Sequence, residues 1–371
     1  MKRLTYISAT LLLTTLSACD SSDSTPVQHP DGYELITFSA KTEEVMTRTN
    51  PYEAYSPEKH PLTMGVFGCY NGNITNNIFY NTTETYDPTT KNWTDTERKR
   101  WDDYKGVSSY DFLAYMPKTD GATVIMQTDG EYLLSVPVTL GNNSPFVFST
   151  KEAPIICATP ERKVATTAEG KELTFERVVN LQFDQTLIGY RLLFMLDSKM
   201  GAIRQFRIKN VSLSGKIATG GTLQRSYSMK NGSWTASDII WTDLQRTATS
   251  DAPFSLPYKE STDTEADNTS KSISINTNDY KQWGETFYII PDQSFQPVIS
   301  VTYDVEMTAQ DGSTIITRKN VTSNITLNKS NFSALANAKT AMVYPIRILI
   351  QPRYLYVLAD QDAYTGYLLI D

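Results

Sequence analysis

Histidine is nearly absent from this 371-residue sequence, which holds only His29 and His60. Two histidines leave little material for a His-dependent triad or a His-ligated zinc site. The sequence also has no CxxC pair and no Gly-rich phosphate loop. Gly220-Gly221 reads as a turn between Leu213 and Leu223. Basic residues are outnumbered, 34 Lys and Arg against 41 Asp and Glu, for a net charge of −7. Nucleic-acid partners demand clustered cations, so that class is set aside. Beyond the first residues no apolar run approaches the length of a membrane span. Two carboxylate pairs remain, Asp102 with Asp103 and Asp360 with Asp362. A glycosidase can draw its acids from separate loops, but an isolated Asp pair reads first as a polar turn and lacks the ligand count of a calcium site. No catalytic residue, cofactor or metal is expected, and the chain is not read as an enzyme.

Cysteine is scarce too, with Cys19, Cys69 and Cys157 alone. Cys19 closes the run MKRLTYISATLLLTTLSAC. A basic start at Lys2 and Arg3, a short apolar stretch from Leu4 to Leu16, and Leu16-Ser17-Ala18-Cys19 form a signal peptide over residues 1–18 ending in a lipobox. Cys19 is then the lipidation site, since its thiolate takes the diacylglycerol and its freed amine is acylated. Several acyl chains give stable membrane anchoring. Residues 19–32 are the lipidated cysteine and a polar Ser-, Asp- and Pro-rich tether. Asp20 and Asp23 resemble the acidic signals that send Bacteroidetes lipoproteins to the outer face of the outer membrane. In an oxidising compartment Cys69 and Cys157 could pair as a disulfide or stay as buried thiols; spacing alone does not choose.

The body reads as all-β. It carries 22 Tyr and 14 Phe, with many Val, Ile and Thr, in short alternating runs bounded by Gly, Asn, Asp and Pro. Leu35–Ser39, Met64–Tyr70, Tyr110–Tyr115, Pro154–Ala158, Phe206–Leu213, Thr286–Pro291 and Val298–Val305 are the clearest strands. Thr94–Lys105 and Lys329–Ala338 are candidates for short helices. A body this long suits two domains of roughly 100–200 residues. Residues 33–186 form the expected N-terminal β-sandwich and residues 187–371 the C-terminal one.

Taken in order, these features resemble the fimbrillin family of Bacteroidetes, the Mfa-like type V pilus proteins. A lipobox and short acidic tether are followed by Ile36-Thr37-Phe38-Ser39, Thr47-Arg48 and Met64-Gly65-Val66-Phe67. Then come Tyr110-Asp111-Phe112-Leu113-Ala114-Tyr115-Met116-Pro117, Phe287-Tyr288-Ile289-Ile290-Pro291 and the closing Pro352-Arg353-Tyr354-Leu355-Tyr356-Val357-Leu358. One departure stands out: many relatives carry Gly-Lys-x-Tyr-x-Tyr before the late strand, where this chain has Lys339-Thr340-Ala341-Met342-Val343-Tyr344. The resemblance implies two tandem transthyretin-like β-sandwich domains and a lipidated precursor in the outer membrane. It also implies a trypsin-like maturation protease that cuts after an arginine and frees the first strand, and other pilus subunits that refill the groove by strand exchange.

On this chain the first strand is Tyr33–Ala40, with Ile36, Phe38 and Ala40 on one face, and Arg48 is the expected cleavage site. Removing such a strand exposes an edge and an apolar trench that a donor strand can refill. The tail, residues 354–371, supplies candidate donors on Tyr354, Tyr356, Leu358, Leu368 and Ile370, unless it completes the second sandwich. The expected function is a structural and adhesive pilus subunit at the cell surface, stalk or tip rather than anchor. The alternative is a non-polymerising surface lipoprotein that binds a host glycan or protein, with Trp93, Trp101, Trp234 and Trp283 stacking on sugars.

Overall fold

A computed structural model describes residues 34–43, 52–101, 108–128, 130–140, 145–164, 176–197, 204–248, 253–258, 272–308, 314–328, 330, 332, 339–350, 354–356 and 367–369. The chain is all-β, and no α-helix occurs among the described residues. The segment expected as a first short helix, Thr94–Lys105, begins at the last residue of a strand, β5 (Asn92–Thr94), and its described part, up to Trp101, is not α-helical. Of the second, only Ser330 and Phe332 lie among the described residues.

The largest sheet contains β1 (Thr37–Glu43), β2 (Tyr52–Ala54), β3 (Thr63–Tyr70), β4 (Asn73–Asp87), β5, β6 (Ser109–Met116), β9 (Ile155–Cys157), β10 (Glu161–Val164) and β11 (Val178–Gln185). Its order is β2-β1-β11-β9-β6-β3-β4-β5, with β10 also on β6. The segment just before β1 meets the segment that follows β5. Ile36 N donates to Lys99 O at 2.9 Å, Trp101 N donates to Glu34 O at 3.1 Å, and Leu35 bridges Arg100. The result is barrel-like, filled by Ile36, Phe38, Val66, Phe79, Phe112 and Phe183 among others.

Strand β6 is buried at every position. Tyr110, Phe112, Ala114 and Met116 point into the barrel, while Leu113 and Tyr115 point out into a second core. That outer core is roofed by a sheet of β7 (Thr123–Thr128), β8 (Glu131–Thr139), β14 (Ala218–Lys230), β15 (Ser233–Ala236) and β16 (Ile240–Arg246). Buried Asp111 fastens the roof: Trp234 Nε1 donates to it at 2.7 Å and Arg162 pairs with it at 3.3 Å. Burial in itself pushes the Asp111 carboxyl up, and the Trp234 bond and Arg162 oppose that.

A second sandwich follows. Strands β12 (Ile188–Leu196), β19 (Lys281–Ile289) and β22 (Val343–Ile350) form one layer in the order β19-β12-β22. The other layer contains β13 (Arg204–Ser214), β17 (Phe254–Leu256), β18 (Ile273–Ile275), β20 (Val298–Thr308) and β21 (Thr314–Thr326). Tyr190, Phe194, Phe206, Val211, Trp283 and Val301 fill the space between. Burying apolar side chains of this size stabilises the fold by roughly 1.5–3 kcal/mol each.

The contiguous division at residue 186 needs amending. β11 ends and β12 begins on either side of it, but β14–β16 cross back to the N-terminal half. Strand β14 pairs with β8 from Gly220–Thr139 to Ser228–Glu131. The glycine pair is likewise not a turn, because Gly220 and Gly221 lie inside β14. A Cβ on Gly220 would meet Val138 O at 2.7 Å, and one on Gly221 would meet Thr242 O at 2.8 Å. The two glycines let β14 lie close between β8 and β16.

Candidate functional site in the first-strand slot

β1 is part of the barrel and pairs on both sides. Its sequence alternates, so Phe38, Ala40 and Thr42 point inward and are buried, with Ile36 before them. The Phe38 ring stands edge-on to Phe79 at 5.6 Å and to Phe112 at 6.0 Å between centroids. Such pairs add to the area they bury. On one side β1 runs parallel to β11, from Thr37–Val178 to Thr42–Phe183. Ser39 Oγ donates to Asn180 Oδ1 at 2.5 Å across that seam. On the other side it lies antiparallel to β2, with Lys41 against Ala54 and Glu43 against Tyr52.

Charges mark both ends of the slot. At the start, Arg177 Nε pairs with Glu34 at 2.7 Å. At the far end Glu43 Oε2 accepts the backbone N–H of Gln185 at 3.2 Å. Burial pushes the Glu43 carboxyl up, the Gln185 bond opposes this, and Asp184 and Arg225 act with opposite signs. Asp184 takes two bonds, from Tyr52 Oη at 2.5 Å and from Arg225 Nη1 at 2.5 Å. Arg225 Nη1 also donates to Cys157 O at 3.2 Å. Burial foremost, then the bond to Asp184, pushes the Tyr52 phenol up, so it remains a donor at neutral pH. Tyr52, Asp184 and Arg225 therefore tie β2, β11 and β14 together without using β1. Sequence reading did not single out these three residues, because nothing in their local pattern distinguishes them from solvated loop and strand-face residues.

Arg48 lies outside the described residues, in the connection between Glu43 and Tyr52, which face each other in the β1–β2 pair. Cys19, with the signal peptide and tether, also lies outside them. The tail strands β23 (Tyr354–Tyr356) and β24 (Tyr367–Leu369) pair with each other, Tyr354 against Leu369 and Tyr356 against Tyr367. They form a separate two-stranded sheet and do not extend either layer of the second sandwich. Leu358 and Ile370 fall outside the described residues.

Cys69 and Cys157 are free thiols, so the disulfide alternative is corrected. Cys69 pairs with Asp111 on β6 and belongs to the outer core. Cys157 follows Ile156, the partner of Tyr115, and belongs to the barrel interior. The two side chains leave opposite faces of one sheet, which a disulfide cannot bridge. Cys69 Sγ lies 3.4 Å from Tyr132 Oη, and Cys157 Sγ donates to Thr159 O at 2.8 Å.

Of the four tryptophans offered for sugar stacking three are interior, and Trp234 is half-buried. Trp93, Trp101 and Trp283 are buried, and Trp234 is committed to Asp111. His60 is buried with Nδ1 at 3.1 Å from Ser56 O, and burial pushes its pKa down. Among the described residues no group of three His, Cys, Asp or Glu is placed to hold a metal ion.

No protein-family model matches the sequence, and no curated protein matches it. Solved structures do resemble it, and they are fimbrial and cell-adhesion proteins. A fimbrial protein from Bacteroides vulgatus ATCC 8482 is 18% identical, with 85% of this chain and 95% of that chain covered and a TM-score of 0.49. A protein assigned to cell adhesion from Bacteroides uniformis ATCC 8492 is 16% identical over 87% of this chain and 94% of that one, with a TM-score of 0.36. The fimbrial anchor protein Mfa2 from Porphyromonas gingivalis is 10% identical over 90% of this chain and 95% of that one, with a TM-score of 0.28.

Proposed function

We propose that this chain is a structural, adhesive subunit of a fimbrillin-like pilus, assembled by strand exchange. It is exported as a lipoprotein on Cys19, carried to the outer membrane, and cut after Arg48 by a trypsin-like protease. The observation that carries the reading is the position of β1. It fills the barrel with Ile36, Phe38 and Ala40, and along the chain residues 44–51 link it to β2. A cut after Arg48 separates β1 from β2 and leaves a slot with an unpaired β11 edge. An unpaired edge beside an apolar trench favours a replacement strand. Among the described residues the tail strands β23 and β24 pair with each other and with neither sandwich layer, which makes the tail a source of such a strand. A subunit with both slot and tail suits the stalk or tip. A host glycan or protein is the adhesive ligand in this reading.

The test is the N-terminus of the protein recovered from the cell surface, together with SDS-resistant ladders. A start at Thr49 with ladders, both lost in Arg48→Ala, supports strand exchange. Ladders that persist unchanged in Arg48→Ala sink the cleavage assignment. Lipidated Cys19 on every copy without ladders sinks polymerisation.

A further inference from the structure

We infer that the strand refilling the slot is Leu355–Asp362 of a second copy, with Leu355, Val357 and Ala359 in the places of Ile36, Phe38 and Ala40 and Asp362 in that of Glu43. The inference rests on the strand-exchange reading and gives it a partner segment and a register. Its inward residues differ from Tyr354, Tyr356 and Leu358, the candidate donor residues of the sequence.

The slot sets three demands. Its third inward place is small, because Ala40 is buried there, 8% exposed. Its fourth is Thr42, 1% exposed, where a charge would be buried. Its last residue, Glu43, gives an acceptor to the Gln185 N–H. Residues 36–43 read ITFSAKTE, and residues 355–362 read LYVLADQD. In this alignment alanine meets alanine, a neutral Gln361 takes the Thr42 place, and an acid meets the Gln185 N–H. Asp360 takes the place of Lys41, which is exposed. The cost is Val357 for Phe38, which leaves space beside Phe79 and Phe112.

Shifting by one residue fails two demands. Leu358 would then crowd the Ala40 place, and Asp360 would enter the buried Thr42 place. Overfilling a close-packed site and burying a lone carboxylate are both strongly unfavourable. The last part of the tail, residues 364–371, fits less well, since it would put Gly366 at Phe38 and Leu368 at Ala40.

Two strand replacements in the full chain test the fit without assembly. The first carries Ile36→Leu, Thr37→Tyr, Phe38→Val, Ser39→Leu, Lys41→Asp, Thr42→Gln and Glu43→Asp. The second, one residue out of step, carries Ile36→Tyr, Thr37→Leu, Phe38→Tyr, Ser39→Val, Ala40→Leu, Lys41→Ala, Thr42→Asp and Glu43→Gln. The first should unfold cooperatively at a Tm about 10 °C or more above the second. Equal or reversed order, or failure of both to fold, overturns the register. Cross-linking in assembled ladders gives an independent reading. Ser39 is the neighbour of Asn180, so Asn180→Cys should join Leu358→Cys, not Val357→Cys, between subunits. Ladders that cross-link through Val357→Cys overturn the register while strand exchange stands. A wild-type chain that forms no ladders removes the strand-exchange reading itself, and the register with it.

Discussion

The ring of Phe38 meets that of Phe79 edge to face, 5.6 Å between centroids, so the strand that opens the body supplies part of its central aromatic cluster. Phe112 completes the group at 6.0 Å from Phe38. β1 is therefore a core element, paired with β11 and β2.

Phe38→Ala should be among the most destabilising changes on β1. Truncating a buried phenylalanine costs about 3–5 kcal/mol. Chemical denaturation should show a lower midpoint with an unchanged m-value. Thr37→Ala, on the half-buried outer face, should cost well under 1 kcal/mol.

Deleting residues 354–371 should leave the monomer's thermal midpoint within a few degrees of wild type, because β23 and β24 bond to each other and to neither sandwich. Ladder formation by the truncated chain should stop. A truncated chain that melts far lower would place the tail in the second core.

Glu84 lies on β4 opposite Met64, 2% exposed, and burial foremost, with Asp95 and Glu97 adding, pushes its carboxyl up to about 9. A raised carboxyl pKa means that the folded state holds a proton that the unfolded chain has lost. Its stability contribution is full below the unfolded value near 4.5 and falls as pH rises towards 9. Glu84→Gln should then raise stability at pH 7 to 8 by about 1–3 kcal/mol and change little at pH 4. Melting curves against pH for both proteins measure the difference.

Burial pushes the Cys69 thiol up to about 11 and the Cys157 thiol up to about 12, and both side chains are enclosed. Thiolates are the reactive form, so neither cysteine should react with a thiol reagent at neutral pH in the native protein. Both should react promptly in denaturant without reductant. Unreactive thiols in denaturant would mean that they are paired.

Much of the architecture was legible in the sequence. Met64–Tyr70, Tyr110–Tyr115 and Val298–Val305 all lie within observed strands, because alternation of apolar and polar side chains is a local property. The inward set Ile36, Phe38 and Ala40 was legible for the same reason. Other features were not. Gly220-Gly221 resembles a turn locally, and only the approach of β8 and β16 from either side makes it a strand. The Tyr52–Asp184–Arg225 cluster joins residues far apart in the chain, and its charges look like any solvated face until β14 lies over β11.

The sequence by itself determined an all-β body and the inward face of its first strand. These follow from side-chain chemistry and the two-residue period. The tertiary structure alone decided that β1 pairs in parallel with β11, 141 positions away at Ser39 and Asn180. It alone placed β14 on β8 and set Cys69 and Cys157 on opposite faces of one sheet. Backbone donors and acceptors are the same at every residue except proline, so a strand does not encode its partner locally. The partner is chosen when the whole sheet closes and buries every apolar face at once.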